Sequence, residues 1–573
     1  MSEQQVAMQV GLLDRWSAHE RDRRIAAAGG LVLGLVGILS AAAPPVRDRL
    51  GVLLSLLPMV VPETARVTLV FVSCALMLTA RGLRRGHRSA WAAALALVTV
   101  SMALHLVKGL DIGEAALAGG MATWLATRAG AFPVRPERRT VVRATLLAAG
   151  GSGLVLAVST LLSVASDAHD LDDSMTASVF GFLGLGHVPF AYGGRFAAPL
   201  LIAAALGLLT STLWLLLSPR ACATQTAVAH RAERERAREV VARYGGGTLD
   251  FFALRDDKRW FFTGSSVVAY AVRRGVCLVS PDPIGPAEDR LRAWLAFREH
   301  AEQSGWSVSV LGAAPEWLAV YASSGLRPIY IGDEAIIDCE SFSLEGHARK
   351  SVRQAHHRVA RAGYTATFHD PVLLDLAEQQ ELADLAQESR RGAVERGFSM
   401  TLSRLFDPAD TGLLVSIARD DTGRPMAFIQ WVPAPAVGGW SLDVMRRRVD
   451  ESMPNGVIDF LVVETVRYAA SLGYRALGLN FAFLRSVVAG EQDNRLGRLG
   501  QRALRFASSR AQIESLWRFN AKFGPRWAPR YVLVGGADAL AAQGMAIVDA
   551  EGISELPVLG RFLGSDPVVA GGS

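Results

Sequence analysis

Apolar residues in the first 218 positions come in long runs broken by arginine clusters. Beyond position 219 they come in short runs that alternate with amphipathic segments. Residues 25–43 (IAAAGGLVLGLVGILSAAA) carry no charge and are long enough to cross the hydrocarbon core of a bilayer, as are 89–107, 144–166 and 196–218. Two shorter stretches, about 64–80 and 112–128, are weaker because Arg66, Asp111 and Glu114 lie at their ends. Residues 50–62 are too short to span and contain Pro58, which predicts an interfacial or re-entrant piece.

The arginines decide between four spans and six. Arg15, Arg21, Arg23 and Arg24 precede the first span. Arg81, Arg84, Arg85 and Arg88 precede the third, and Arg128, Arg135, Arg138, Arg139 and Arg143 the fifth. Six spans put all three clusters on the cytoplasmic side; four would expose the second outside. The loop 167–195 carries four aspartates and one arginine, as expected of an outside loop. The reading is therefore about six spans with both ends inside, and no small-residue cleavage site marks the first span as a removable signal. His105, Lys108, Asp111 and Glu114 crowd one span end. Ionisable groups at membrane depth are functional candidates, but at a span end they can also snorkel to the interface.

After the membrane part, residues 219–243 alternate Glu and Arg as a charged helix with i,i+4 pairing. From 249 onward, LDFFAL, WFFTGSSVVAYAV and GVCLVS read as three strands of a meander. A helix at 287–303, the strand SVSVLGA, a helix near 315–324 and the strand PIYIGDEAIID follow. The grammar then restarts: helix at 371–389, strands LLVSIARD, PMAFIQWVP and GWSLDVM, helix at 456–472, strand ALGLNFA. Meander, helix, strand, helix, strand occurs twice, which predicts two related α/β domains. The organisation expected is a membrane domain 1–218, a linker helix 219–245, α/β domains 246–368 and 369–540, and a tail 541–573. No G-x-G-x-x-G follows a strand and there is no P-loop, so nucleotide binding of those kinds is unsupported. No acetyl-CoA pyrophosphate loop is present either.

Half of the 573 residues are hydrophobic, and the net charge is +6, which favours anionic partners such as lipid headgroups or RNA. Only four of the 60 basic residues are lysines: Lys108, Lys258, Lys350 and Lys522. Cys74, Cys222, Cys277 and Cys339 show no C-x-x-C spacing, so neither a metal site nor a redox motif is expected.

Three constellations carry chemistry. In residues 347–364 (HARKSVRQAHHRVARAGY), Arg349, Lys350 and Arg353 open a helix on which Lys350, Arg353, His357 and Arg361 share one stripe. Such a stripe can track the phosphates of RNA or lipid, or be a solvated basic face. In SLDVMRRR, Asp443 and Arg446 end a strand. The Asp can orient or deprotonate a hydroxyl and the Arg can hold a phosphate, or the two can form a structural pair. In SLWRFNAKFGPRWAPRYV, Lys522 and Arg530 lie among aromatics that could stack on bases or pack at a domain boundary. A fourth segment, LRDDKRWFF with PDPIGP, reads as a strand edge and a tight turn.

The ordered series DDK…DPIGP, RKSVRQA…GY, ERGFSM, DVMR…NGVIDFL, GLNFAFL and WRFNAKFGPRWAPRY resembles the C-terminal domain of the aminoacyl-phosphatidylglycerol synthases, the multiple peptide resistance factor family. The likeness covers roughly residues 245–535. It implies a tandem GNAT-like (acetyltransferase-related) fold. It also implies transfer of an amino acid from aminoacyl-tRNA to a hydroxyl of phosphatidylglycerol at the cytoplasmic face of the bacterial inner membrane, without a cofactor. On that pattern Asp443, Arg446 and Lys522 would be catalytic. Arg349, Lys350, Arg353 and Arg530 would hold substrate. The best-known members have a longer membrane region and some a fused lysyl-tRNA synthetase; here aminoacyl-tRNA is expected from the cellular pool. Two other readings stay open: a tRNA-dependent transferase acting on another lipid or a peptide, and a lipid transporter or binding protein with an inactive soluble domain.

Overall fold

The computed structural model describes residues 3–43, 60–167, 170–183, 197–218, 222, 225–390, 397–450, 452–481, 518–536 and 539–551. It divides into two compact units, one made mainly of residues 1–221 and the other mainly of residues 222–573.

The first unit is helical: α1 (Glu3–Ala42), α2 (Val60–Arg84), α3 (Arg88–Gly109), α4 (Ile112–Thr127), α5 (Arg138–Asp167), α6 (Leu171–Leu183) and α7 (Ala197–Leu216). Among the described residues, four helices are long and apolar enough to cross a membrane: Ala18–Ala42, Ala65–Arg84, Arg88–Gly109 and Arg138–Ala165. The weak 64–80 stretch is thus a full-length helix. The 112–128 stretch forms the shorter α4, and the apolar part of α7 spans Leu200–Leu216. The acidic loop expected at 167–195 contains α6. Most of the piece expected at 50–62 lies outside the described residues.

All three arginine clusters meet at one end of this unit. Glu20 takes both Arg24 and Arg84, Arg128 lies 3.7 Å from Asp22, and Arg23 Nε donates to the Ala131 carbonyl. The opposite end is tied by Lys108. It does not snorkel: it is buried, donating at 2.6 Å to both the carbonyl and the hydroxyl of Ser40 and pairing with Asp111 at 2.8 Å. Three donors thus meet three acceptors, a tie between α1 and α3.

The second unit opens with α8 (Ala227–Tyr244), capped by Thr226 Oγ1, which accepts from the Ala229 N–H at 3.2 Å. LDFFAL is not a strand but a 3-10 helix, Asp250–Leu254. The Asp250 carboxylate accepts from the Gly246 and Gly247 N–H groups at 2.9 and 2.8 Å, which curls the chain and turns Phe251 and Phe252 into the core. The meander keeps three strands because its first hairpin lies inside WFFTGSSVVAYAV. Gly264, at φ +57°, turns β1 (Arg259–Thr263) into β2 (Ser266–Arg273). Then come β3 (Val276–Val279), α9 (Ala287–Gln303), β4 (Ser307–Ala313), α10 (Leu318–Ser323) and β5 (Arg327–Asp338).

The second half runs α11 (Lys350–Arg361), β6 (Thr365–His369), α12 (Leu376–Arg390), β7 (Leu414–Arg419), β8 (Pro425–Ala434), β9 (Gly439–Arg447), α13 (Val457–Ser471), β10 (Ala476–Phe481), β11 (Arg526–Val534) and α14 (Leu540–Ala550). β6 is an edge strand that the sequence pattern did not announce. Residues from 541 do not begin as a loose tail: Gln543 of α14 donates to the Val308 carbonyl, and Ala546 and Ile547 enter the core.

The eleven strands among the described residues form one sheet, in the order β1-β2-β3-β4-β11-β5-β10-β9-β8-β7-β6. The closing strands of the two halves are exchanged. β5 pairs with β10 of the second half, and β11 pairs with β4 of the first. In each half one pair is parallel, β3 with β4 and β9 with β10, and every other pair is antiparallel. The two halves repeat one arrangement, as the restarted grammar implies, and the fold is the tandem GNAT-like one that the family resemblance implies.

Candidate active site

Four irregularities of pairing fall near the centre of the sheet. On β9 the partners step from Gln430↔Val444 to Trp431↔Leu442, so Asp443 is the extra residue. Opposite β11 the extra residues are Ile331 of β5, between Arg530↔Gly332 and Tyr531↔Tyr330, and Gly312 of β4, between Tyr531↔Ala313 and Val532↔Leu311. On β10 a shift falls between Gly478 and Phe481 opposite Glu334. A bulge re-aims a side chain out of the regular alternation and is common beside active sites.

Asp443 is buried, yet its carboxylate is held on both oxygens. The Leu402 N–H donates to Oδ1 at 2.9 Å, and the Gln430 amide donates to Oδ2 at 2.7 Å. Two strands away on β5, Glu334 is fully buried and pairs with Arg530 at 2.7 Å. Arg530 also donates to Thr248 Oγ1 at 2.9 Å and to the Gly312 carbonyl at 3.4 Å. Burial works against the guanidinium charge, but the Glu334 carboxylate outweighs it and holds Arg530 above its ordinary value.

Gly478 packs against the second of these groups. A methyl at its Cα would stand 3.2 Å from Ser441 Oγ, 3.2 Å from Thr248 Cγ2 and 3.3 Å from Glu334 Oε1, so the polar side chains close tightly around a position that only glycine fits without displacement. Among the described residues, Glu334 Oε1, Ser441 Oγ and Gln430 Oε1 are buried without a hydrogen-bond partner. Unmet buried acceptors are costly, and the two that lie beside Gly478, Glu334 Oε1 and Ser441 Oγ, suit a group rich in donors, such as an ammonium.

The remaining cations belong to a separate edge. The neighbours Ala335, Leu442 and Leu477 turn to the other face of the sheet, into the core formed with α11 and α13. There Lys522 pairs with Asp459 at 2.7 Å, its ammonium 4.7 Å from the Phe519 ring centroid. Arg349 lies over Phe342 and beside Gly524, where an added Cβ would meet its guanidinium at 3.0 Å. Arg353 donates to the Leu344 and Gly346 carbonyls at 2.6 and 3.0 Å, shaping the turn before α11. Lys350, His357 and Arg361 are exposed along one face of α11, while Val352, Ala355, His356 and Val359 are buried on the other. Arg446 lies half-buried toward the end of β9 and donates to the Met445 carbonyl at 2.9 Å. Arg530 thus meets Glu334 and Thr248 beside Gly478, Asp443 is held separately by Leu402 and Gln430, and Lys522, Arg349, Lys350 and Arg353 lie on a basic edge.

Residues 238–534 match the family described as phosphatidylglycerol lysyltransferase, C-terminal. The chain belongs to that family. The lysylphosphatidylglycerol biosynthesis bifunctional protein LysX of Mycobacterium ulcerans is 38% identical over 362 residues, covering 62% of this chain and 32% of that protein. Its namesake in Rhodococcus opacus is 36% identical over 335 residues, 56% of this chain and 29% of that protein. The chain therefore spans about a third of the length of the curated relatives it matches. Among solved structures, L-PGS from Bacillus licheniformis is similar with a TM-score of 0.48 at 22% identity, covering 56% of this chain and 96% of that one.

Within this phosphatidylglycerol lysyltransferase domain, reasoning from sequence missed Glu334, Gln430, Ser441 and Thr248. Two of them carried a signal: Glu334 and Gln430 are lone polar residues inside the apolar strands PIYIGDEAIID and PMAFIQWVP. The DDK and DPIGP segments have structural contacts, as expected. Asp282 accepts from the Ala314 N–H and the Tyr321 hydroxyl, and Lys258 donates to the Ser280 carbonyl at 2.8 Å.

Proposed function

We propose that the second unit transfers an aminoacyl group, lysyl by family membership, from aminoacyl-tRNA to a hydroxyl of phosphatidylglycerol. In this reading the lipid hydroxyl attacks the carbonyl carbon of the aminoacyl ester. The ribose oxygen of the tRNA leaves and takes up the proton that the lipid hydroxyl gives up. One ester replaces another, so the protein's task is positioning and charge stabilisation rather than activation.

The observation that carries the reading is the polar centre at Gly478. Its unmet acceptors suit the donor's ammonium, and Asp443, held by two N–H donors, would orient the attacking hydroxyl. Arg446 and Lys522 supply positive charge for phosphate, and the basic edge of Arg349, Lys350 and Arg353 suits the tRNA or lipid backbone. The apolar helices and the arginine-rich end of the first unit fit a bacterial cytoplasmic membrane with the second unit on the cytoplasmic side. There the product would make the membrane surface less negative.

Lipid mass spectrometry of cells with and without the protein tests this. An aminoacylated phosphatidylglycerol is expected only with it, and its loss is expected on Asp443→Asn in a protein that still folds. An unchanged lipid profile on expression contradicts the activity; unimpaired transfer by Asp443→Asn contradicts the assigned role of that residue.

A further inference from the structure

The loop that fixes Asp443 is itself fixed by the helix that follows the apolar segment. Arg234 of α8 points inward, its side chain only 11% exposed. Its guanidinium donates to the Leu254 carbonyl at 3.0 Å, to Asp407 at 2.9 Å and to Asp410 at 3.1 Å. Asp410 is buried and also receives Arg404 at 2.7 Å and Arg238 at 3.4 Å. Arg404 donates to the same Leu254 carbonyl and to Asp256 at 2.9 Å.

From Arg404 the path to Asp443 is two residues long. The Leu402 N–H donates to one carboxylate oxygen, and Gln430, which donates to the other, also donates to the Arg404 carbonyl at 3.4 Å. Between them Ser403 is held at φ +63° and Phe406 follows at +57°, a left-handed backbone that neither residue favours. Such conformations persist only where the surroundings over-determine them. Here those surroundings include the charge cluster built on Arg234, together with Arg255, which donates to the Gly397 and Thr401 carbonyls.

We propose that α8 is a positioning element of the transfer site: Arg234, acting through Asp410 and Arg404, holds the 402–404 turn that aims the Asp443 carboxylate. The helix read from sequence as a charged connector would then be a working part of the second unit. This rests on Asp443 being a site residue.

The test is a double-mutant cycle on the full chain in detergent, with lysyl-tRNA and phosphatidylglycerol vesicles as substrates. Arg234→Gln is expected to lower kcat by about 10–100-fold, the scale of a small misplacement, with both KM values nearly unchanged. Arg234→Lys should recover part of that loss. In an Asp443→Asn background Arg234→Gln should cost little more, because the group it positions is gone. Equal fold losses in both backgrounds, or a loss confined to KM, overturn the inference while leaving Asp443's role intact. Wild-type turnover by Asp443→Asn alone overturns the role of Asp443 and the inference with it. If the Asp443→Asn protein turns over too slowly for a cycle, the kcat-against-KM split and the lysine rescue decide: both present support the inference, either absent overturns it.

Discussion

At the scale of single residues, the second unit's centre is a set of charges that only make sense together. Glu334 is wholly buried and Arg530 nearly so, and each leaves the other uncompensated if removed. Arg530→Met is therefore expected to lower stability by about 3–5 kcal/mol, with Arg530→Met/Glu334→Gln recovering part of it. Thermal unfolding of the detergent-solubilised chain measures both; a double variant no more stable than the single one contradicts the pairing. Lys258 gives a pH signature. Burial, only partly opposed by Asp257, brings its ammonium down to about 7. Above that pH the folded chain has released a proton that the unfolded chain keeps until its ordinary value near 10.5, so the group's contribution to stability rises with pH. Between pH 7 and 8.5 the unfolding midpoint should climb more steeply in the wild type than in Lys258→Met. Equal slopes would contradict it. Of these residues, Asp443 and Arg530 were legible because they end or sit within motifs of unusual polarity. Ser441 and Thr248 were not, since a small hydroxyl in or beside a strand carries no pattern of its own, and their approach to Gly478 exists only once distant segments meet.

Among the elements, the meander, the helices and the parallel strands follow from hydrophobic periodicity, which is why most of them were legible. The misreadings have local causes. LDFFAL has a strand's composition but is curled by the Asp250 cap, and Gly264 places a hairpin inside what looked like one strand. The bulges at Asp443 and, opposite Arg530, at Ile331 were hidden because a bulge is a property of two strands in register, not of one. α11 is the element where sequence and structure agree most closely: its buried face packs toward α13, and Lys350, His357 and Arg361 remain exposed. If this face meets tRNA, Lys350→Ala/Arg361→Ala should raise KM for aminoacyl-tRNA several-fold and leave KM for the lipid unchanged. The salt dependence of tRNA binding should also become shallower by roughly one to two counterions. A rise confined to the lipid KM would assign the stripe to lipid phosphate instead.

On the scale of the whole molecule, the two units are written differently because they face different solvents. The apolar runs of the first and the gathering of its three arginine clusters at one end were legible from composition and the positive-inside rule. The exchange of β5 and β11 was not, because period-two alternation fixes which face a residue takes but not which strand lies beside it. That exchange has a structural consequence: Glu334 on β5 and Arg530 on β11 meet only because each half lends its last strand to the other. The proposed activity of the second unit is aminoacyl transfer to lipid. The purified full chain, incubated with lysyl-tRNA and phosphatidylglycerol vesicles and followed by mass spectrometry of the lipid, tests it. Lysyl-phosphatidylglycerol that depends on both substrates and falls sharply with Asp443→Asn is expected. No aminoacylated lipid from the folded wild-type protein, with lysyl-tRNA or tRNA charged with any other amino acid, would contradict it.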